Sequence, residues 1–541
     1  MNIKIKKLAP LKLSAVALSV MSCSPALLAF EIETGNSDLR LTFDNTVKYS
    51  TAFRLKDASN GLNGTDNPSQ GANQNDGDNN FDKGLVSNRL DLLTELDLSY
   101  KDVGFRVSGT AWYDEVYHGN TDNTSSSSNH SPASEFSDEA KEVMGGDTDL
   151  LDAFAYAYFP VSDGMEGTVR LGRHSLLWGE SLYFGINGIA GGQAPLDIVK
   201  LASVPNSQFK EIALPTGKLS VDVPLTEALS LGAYVGYEWE KSRLAPAGAY
   251  LSSSDTLGGE RLLAGSNEFT KIGDQEAEDD GQYGLQLRWS DYDTFTDYGI
   301  YATRYHATTI SNIYTILNSS FQPSEYQFAY QEGIEAYGFS MAKSVGIWSL
   351  AGEISYRRNA PLASKGQSIT PTGTQYDNDS NPGYAVGETA HAQFSWIGSL
   401  GPSFIAKEAS FTGEIAWNTR VKTTDNESML NPNADKSAVA LRMVYSPTYR
   451  QFFDGVDLTP SVGLGHTWGK SSAVGAGFGV DGGGDLNLGI KAVYLSRWNF
   501  SMNYTKYLGE EGYFLDGDNN AQYKQALKDR DFISASVQTV F

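Results

Sequence analysis

A chain of 541 residues with one cysteine and a formal net charge of -24 excludes a disulfide-stapled scaffold and argues against nucleic acid as a partner. The same acidity argues against direct binding of anionic lipid headgroups and is compatible with a surface that holds divalent cations. A soluble chain of this length ordinarily splits into several domains, whereas one closed sheet can take up all of it.

The chain opens with Lys4, Lys6 and Lys7, followed by an apolar, small-residue run from Leu13 to Leu28 that ends at Ala29. This reads as a secretory signal, residues 1–29, removed to leave 30–541 as one domain. Lipidation at Cys23 is the alternative, although Val20, Met21 and Ser22 before it fit that pattern poorly. Beyond this segment no run of eighteen apolar residues occurs, so a membrane helix is excluded there and a membrane barrel is not.

From Leu39 onward the dominant signal is two-residue alternation, which in a strand separates two faces. Leu39, Leu41, Phe43, Val47, Tyr49 and Phe53 share one parity, while Arg40, Asp44, Lys48 and Arg54 share the other. Leu90, Leu92, Leu96 and Leu98 oppose Asp91, Glu95 and Asp97, and Phe154, Tyr156 and Tyr158 oppose Ala153, Ala155 and Ala157. The same pattern recurs around Leu229–Trp239, Tyr283–Trp289, Trp348–Tyr356, Phe411–Trp417, Leu486–Tyr494 and Ile533–Phe541.

The connections alternate as well. Short turns are predicted at Asp102–Gly104, Val161–Glu166, Pro224–Ala228, Ser290–Phe295, Ser344–Val345, Gly398–Gly401, Ser446–Gly455 and Arg497–Trp498. Between them lie long polar segments, from Asp57–Lys83 through to Gly509–Lys528. Short and long in turn is the pattern of an outer-membrane barrel with periplasmic turns and longer external loops. The prediction is an all-β, antiparallel up-and-down transmembrane barrel of about eighteen strands, sixteen being the alternative. A soluble sandwich or propeller would also alternate, but there is no fixed internal repeat, and the aromatic-rich apolar face and the loop pattern favour the barrel. Asn60–Asp82 and Thr121–Ser131 read as mobile polar loops, and Asp76, Asp78 and Asp82 as solvated acids without the spacing of a calcium loop.

A barrel of this size leaves an aqueous lumen. Arg40, Lys48, Arg54, Glu95, Arg106, Arg288, Glu353, Glu414 and Arg442 have the parity to line it, together with Asp91 and Asp97. Charges of opposite sign could select solutes there or neutralise one another. The third long loop, Ser175–Leu214, is unlike the others. It carries Trp178, Leu182, Tyr183, Phe184, Ile186 and Ile189, then Ile198, Val199, Leu201 and Val204. A loop in water should not hold so many apolar groups. It is expected to fold into the lumen as a constriction or partial plug, the alternative being an extra hairpin on the rim. Catalytic signals are sparse: the six histidines have no metal-ligand spacing, and Gly469-Lys470-Ser471 lacks the upstream glycine of a phosphate loop, having Leu464 there. No catalytic residue, cofactor or metal is expected.

Several blocks in order, FEIETGNSDLRLTFDNTVKYSTAFRLKD after the signal, VRLGRHSLLWGES (Val169–Ser181), AGEISYRRNAP (Ala351–Pro361), FFDGVDLTPSVGLGH (Phe452–His466) and DRDFISASVQTVF (Asp529–Phe541), resemble proteobacterial outer-membrane proteins of domain-of-unknown-function family 1302. The resemblance covers essentially the whole chain after the signal. It implies an outer-membrane barrel of a Gram-negative bacterium, embedded in outer-membrane lipid and lipopolysaccharide, with Phe541 as the signal read by the barrel-assembly machinery. It further implies a periplasmic lipoprotein and an inner-membrane exporter as partners, and movement of hydrophobic molecules. Gly172, Arg173, Trp178, Gly179 and Glu180 match a family motif of unassigned role. The leading expectation is a transport barrel for hydrophobic or amphipathic cargo. A diffusion porin for polar solutes, an outer-membrane hydrolase and a surface adhesion barrel are the alternatives.

Overall fold

In lipid, a strand cannot leave its N–H and C=O groups unpaired, so a spanning sheet must close on itself. The computed structural model, which describes residues 30–32, 35–162, 164–264, 267–370 and 375–541, shows this closure. The expected signal, 1–29, lies outside the described residues. The strands are β1 (Leu39–Arg54), β2 (Gly84–Tyr100), β3 (Val103–Asp114), β4 (Gly146–Ser162), β5 (Met165–His174), β6 (Thr216–Pro224), β7 (Leu229–Gly236), β8 (Gln282–Asp291) and β9 (Thr296–Tyr305). They continue as β10 (Ile334–Val345), β11 (Trp348–Pro361), β12 (Val386–Leu400), β13 (Glu408–Asp425), β14 (Ser437–Phe453), β15 (Val456–Trp468), β16 (Gly483–Tyr494), β17 (Trp498–Leu508) and β18 (Phe532–Val540). Each pairs antiparallel with its chain neighbours, and β18 pairs with β1 from Thr46↔Val540 to Arg54↔Phe532. The eighteen-stranded barrel is thus closed. Where β18 runs out, Phe541 exchanges two backbone hydrogen bonds with Asn45, and the short segment Phe30–Ile32 takes over the same edge of β1 at Leu41–Phe43.

The alternation sorts as expected over most of the wall. Leu92, Phe105, Leu285, Ile300, Ile354, Ile415, Leu488 and Met502 stand exposed on the outer surface, forming the apolar belt that lipid would cover. One strand departs from the prediction. The β3–β4 register shifts between Val107 and Gly109, which exposes Leu150 and buries Leu151. Below the shift the alanines face outward and the aromatics inward: Phe154 packs on His174 and the Tyr156 hydroxyl donates to Asp97 at 3.1 Å. A bulge reverses every side chain that follows it, and alternation alone does not locate it. Several predicted turns also fall largely within strands, Gly398–Gly401 among them, whose connection follows at 401–407. Ser344–Val345 belongs to β10, and most of Ser446–Gly455 is strand, because Tyr449↔Leu458 and Phe453↔Val456 extend the hairpin.

The long connections, all at one end, pack together. Loop 1 (55–83), loop 2 (115–145) and loop 4 (237–281) share a core with β18 in which Phe81 meets Tyr117, Phe136 and Tyr250 at 5.5–5.8 Å between ring centres. Loops 4, 5 (306–333) and 6 (362–385) contribute Arg261–Ala264, Asn267–Lys271, Asn312–Leu317, Pro323–Ala329 and Ser368–Thr370 to a separate five-stranded sheet. The expectation of solvated acids holds for Asp82, which is exposed, and fails for the other two. Asp76 and Asp78 are buried, Asp76 accepting from Asn123, Ser128 and Asn129, and Asp78 from Arg54. Arg54 also donates to the carbonyls of Asp78 and Phe81 and pairs with Asp529 at 3.1 Å, tying loops 1 and 9 (509–531) across the seam. Sequence separation hid these partners.

Burial, and then the Asp78 carboxylate beside it, push Asp529 up to about 6 from 3.8. Its raised value means that its contribution to the loop cap is fully present below about 3.8 and is lost as pH rises through about 6. Hydrogen exchange of loops 1 and 9, corrected for intrinsic rates, should therefore show less protection at neutral pH than at mildly acidic pH. Asp529→Asn should flatten that dependence, and an unaltered profile in this variant would rule Asp529 out as its source.

Candidate functional site: loop 3 in the lumen

Loop 3 (175–215) leaves β5 and returns to β6, yet its first half is fastened to β11–β13, on the far side of the ring. The fastening groups are two carboxylates predicted to face the lumen. Glu353 on β11 accepts the amides of Glu180 at 2.8 Å and Ile189 at 2.5 Å. Glu414 on β13 accepts three successive amides: Leu182 at 3.2 Å, Tyr183 at 2.5 Å and Phe184 at 2.8 Å. Successive amides converging on an anion form a nest, and a buried carboxylate is tolerated only when so satisfied. Both side chains are buried. Beside them Arg357 donates to the carbonyls of Ile186 and Gly188. Asn187, fully buried, is held by Gln393, His391 and Asn418. Strand register explains the convergence, since Glu353 stands opposite Gln393, and His391 opposite Asn418.

Apolar contacts complete this half. Trp178 lies against Tyr234 and Tyr301, with ring centres 5.2 and 6.4 Å away, and Ile189 joins the same cluster. Ile189 fills a notch at Gly338, where an added Cβ would come within 2.3 Å of its Cδ1. Phe184 packs on Phe478 over the small residues Ala416, Ala438 and Ala440. The family motif acquires a structural account here. Gly179 has φ +96°, and a Cβ there would sit 2.3 Å from Glu353 Oε2, so only glycine lets the carboxylate reach the next amide. Arg173 pairs with Glu238 and Glu240 and donates to the Pro215 carbonyl at 3.0 Å, clamping the base of the loop.

The second half of loop 3 returns to the opposite wall. Its helical turns, α1 (Ile198–Ser203) and α2 (Phe209–Ile212), carry Lys200, Lys210 and Glu211. Lys210 pairs with Glu95, Glu211 lies 3.8 Å from Lys48, and Lys200 reaches Thr110. Asn206 reaches Ser536 on β18. Lys200, Arg89 and Arg243 surround the Trp112 ring at 5.1–5.7 Å.

The predicted lumen charges therefore separate into two groups. Lys48, Arg54, Glu353 and Glu414 point inward but are covered, Arg54 by the loop cap and the other three by loop 3. Arg40 and Arg288 are exposed, Glu95 and Arg106 form an ion pair extended by Asp152, and Arg442 pairs with Asp485. Of the constriction-loop candidates, Trp178 and Ile189 are buried anchors, Phe184 and Ile186 are half-buried, and Leu182 and Tyr183 are exposed. Sequence reading missed Asn187, Arg357, His391 and Asn418. The one available signal was a lone asparagine amid the apolar GIN-GIA stretch.

A closed antiparallel barrel with an apolar outer belt, short turns at one end and a loop pinned across its lumen is an outer-membrane β-barrel of the porin-like class. The chain belongs to the family described as Protein of unknown function (DUF1302), whose model matches residues 11–541. No curated protein matches it. Among solved structures it is similar to Pseudomonas putida OprB (10% identity, 93% of this chain and 94% of that one, TM-score 0.38). It is also similar to Pseudomonas aeruginosa OpdK with vanillate (11%, 92% and 98%, 0.41) and to a BenF-like porin from Pseudomonas fluorescens Pf-5 (10%, 93% and 98%, 0.43).

Gly179→Ala adds both a strained φ and a clash, a cost of about 1–3 kcal/mol. Exchange of the Glu180 and Ile189 amides should rise by about tenfold or more in this variant, with the barrel still closed by gel mobility. Unchanged protection would mean that Glu353 does not hold the loop.

Proposed function

We propose that the protein is a transport channel of the outer membrane, that loop 3 narrows its lumen, and that its cargo is hydrophobic or amphipathic. The observation that carries this reading is the division of labour within loop 3. Its backbone amides are taken up by the wall, while Leu182, Tyr183, Leu201 and Phe209 are left exposed. An apolar lip in a narrow aqueous passage disfavours water and ions and accommodates apolar groups. Leu182, Tyr183, Phe184 and Ile186 form the constriction in this proposal, and Arg40, Glu95, Arg106, Arg288 and Arg442 are its charged lining. The proposal includes a cleaved signal at 1–29, one barrel domain over 30–541, and Phe541 as the assembly signal. A periplasmic lipoprotein and an inner-membrane exporter would be the partners that hand over cargo.

A diffusion porin for polar solutes is the second reading, favoured by the ion-pair chain Lys210–Glu95–Arg106–Asp152 and by Arg442–Asp485. A hydrolase is the weaker one. His174 Nε2 does lie 2.7 Å from Ser220 Oγ, but both side chains are buried and the other ring nitrogen meets the Gly172 carbonyl rather than a carboxylate.

Single-channel conductance in a planar bilayer tests the constriction. Replacing Ser181–Val204 by a short Gly-Ser linker should raise the current several-fold over a low or silent baseline. The milder set Leu182→Ser, Tyr183→Ser, Leu201→Ser and Phe209→Ser should raise it less. Equal currents from all three correctly assembled barrels would place the narrowing elsewhere, and a large steady current from the intact protein would favour the porin.

A further inference from the structure

Between α1 and the inner wall of β16–β18 lies a cavity of about 310 Å³. On its loop side Leu201, Val204, Pro205 and Ile212 form an apolar surface beside Ser203, Asn206 and Ser207, and Phe532 closes one edge from the wall. The opposite side is a patch of amides and hydroxyls. Register sets Asn487, Thr505 and Phe532 in one row, and Gly489, Asn503 and Ser534 in the next. Gly489 lets the Asn503 amide lie close over the wall, since a Cβ there would come within 2.7 Å of Asn503 Oδ1 and 2.5 Å of Ser461 Oγ.

Polar capacity in the patch is only partly used. Thr505 donates to Asn487 at 2.7 Å, and Asn487 donates to Asp485. The side chains of Asn503 and Ser534, which both line the cavity, have no hydrogen-bond partner among the described residues. Among the described residues, no charged side chain lines the cavity. A hydroxyl and an amide that face a cavity without a protein partner are free to bond a ligand atom. An unpaired charge brought here would instead meet no counter-ion.

We propose that this cavity is a binding site for a neutral amphipathic small molecule, one apolar face against Leu201 and Val204 and a hydroxyl or carbonyl edge against Asn503 and Ser534. Its volume is at the small end of the range for small-molecule sites. The proposal rests on the transport reading, for which it supplies a resting place for cargo on the loop's inner flank. Leu201 is 56% exposed, so the site communicates with the open lumen.

The test uses the full barrel in lipid nanodiscs with a fluorophenyl-cyclohexanol as probe and its cyclohexanecarboxylate counterpart as control, followed by fluorine NMR. The alcohol should show saturable binding above that of empty nanodiscs, and the carboxylate should bind about tenfold more weakly or not at all. Leu201→Glu, at an exposed position, should abolish alcohol binding without unfolding the barrel, and Asn503→Leu should weaken it several-fold. Equal binding of alcohol and carboxylate, no signal beyond the lipid background, or full binding by Leu201→Glu would each overturn the site. Absent binding together with a loop-replacement current would remove the pocket and leave the constriction standing. Binding without any effect of loop replacement on current would support the pocket and remove the constriction.

Discussion

The interior of this barrel is organised by backbone amides bound to carboxylates. Glu353 and Glu414 take five contacts from loop 3 residues, counting one per amide, and so draw that loop across the lumen. Hydrogen bonds to a charged group contribute about 1.5–3 kcal/mol each. The dependence runs both ways, because without the loop two anions would be left buried and unpaired. The apolar contacts of Trp178, Ile189 and Phe184 then fix what the carboxylates have brought near.

This arrangement gives loop 3 two unlike attachments. Toward β11–β13 the loop contributes chiefly main-chain groups, which the wall side chains Glu353, Glu414 and Arg357 take up. Toward β1–β3 it is held by the long side chains Lys200, Lys210 and Glu211, which reach Thr110, Glu95 and Lys48. The second attachment depends on flexible ionic groups and is partly exposed at Lys210, so salt screens it more than the first.

Much of the fold was legible because a lipid-facing strand has one dominant requirement, and alternation reports it directly. Strand number and loop order follow from it, and the third loop stands out by the apolar groups it carries. What was not legible depends on partners far apart in sequence. The β3–β4 bulge that turns Phe154 and Tyr156 inward leaves no local mark, and the acidic run around Asp76 and Asp78 reads as solvated until Arg54 and Arg530 are placed beside it. Parity correctly assigned Glu353 and Glu414 to the inner face. It could not show that they are covered, because the covering groups are amides, which every residue carries.

The notches that receive loop 3 tie distant positions to one another. Gly338 on the wall exists for the volume of Ile189, and Gly179 in the loop exists for the reach of Glu353. A side chain gained at either glycine is tolerable only if its counterpart shrinks or retreats in the same step. Divergence across such a barrel would therefore proceed by paired exchanges between loop and wall, so that matched substitutions at these positions in different sequences would carry a record of how deeply the loop sits in each lumen.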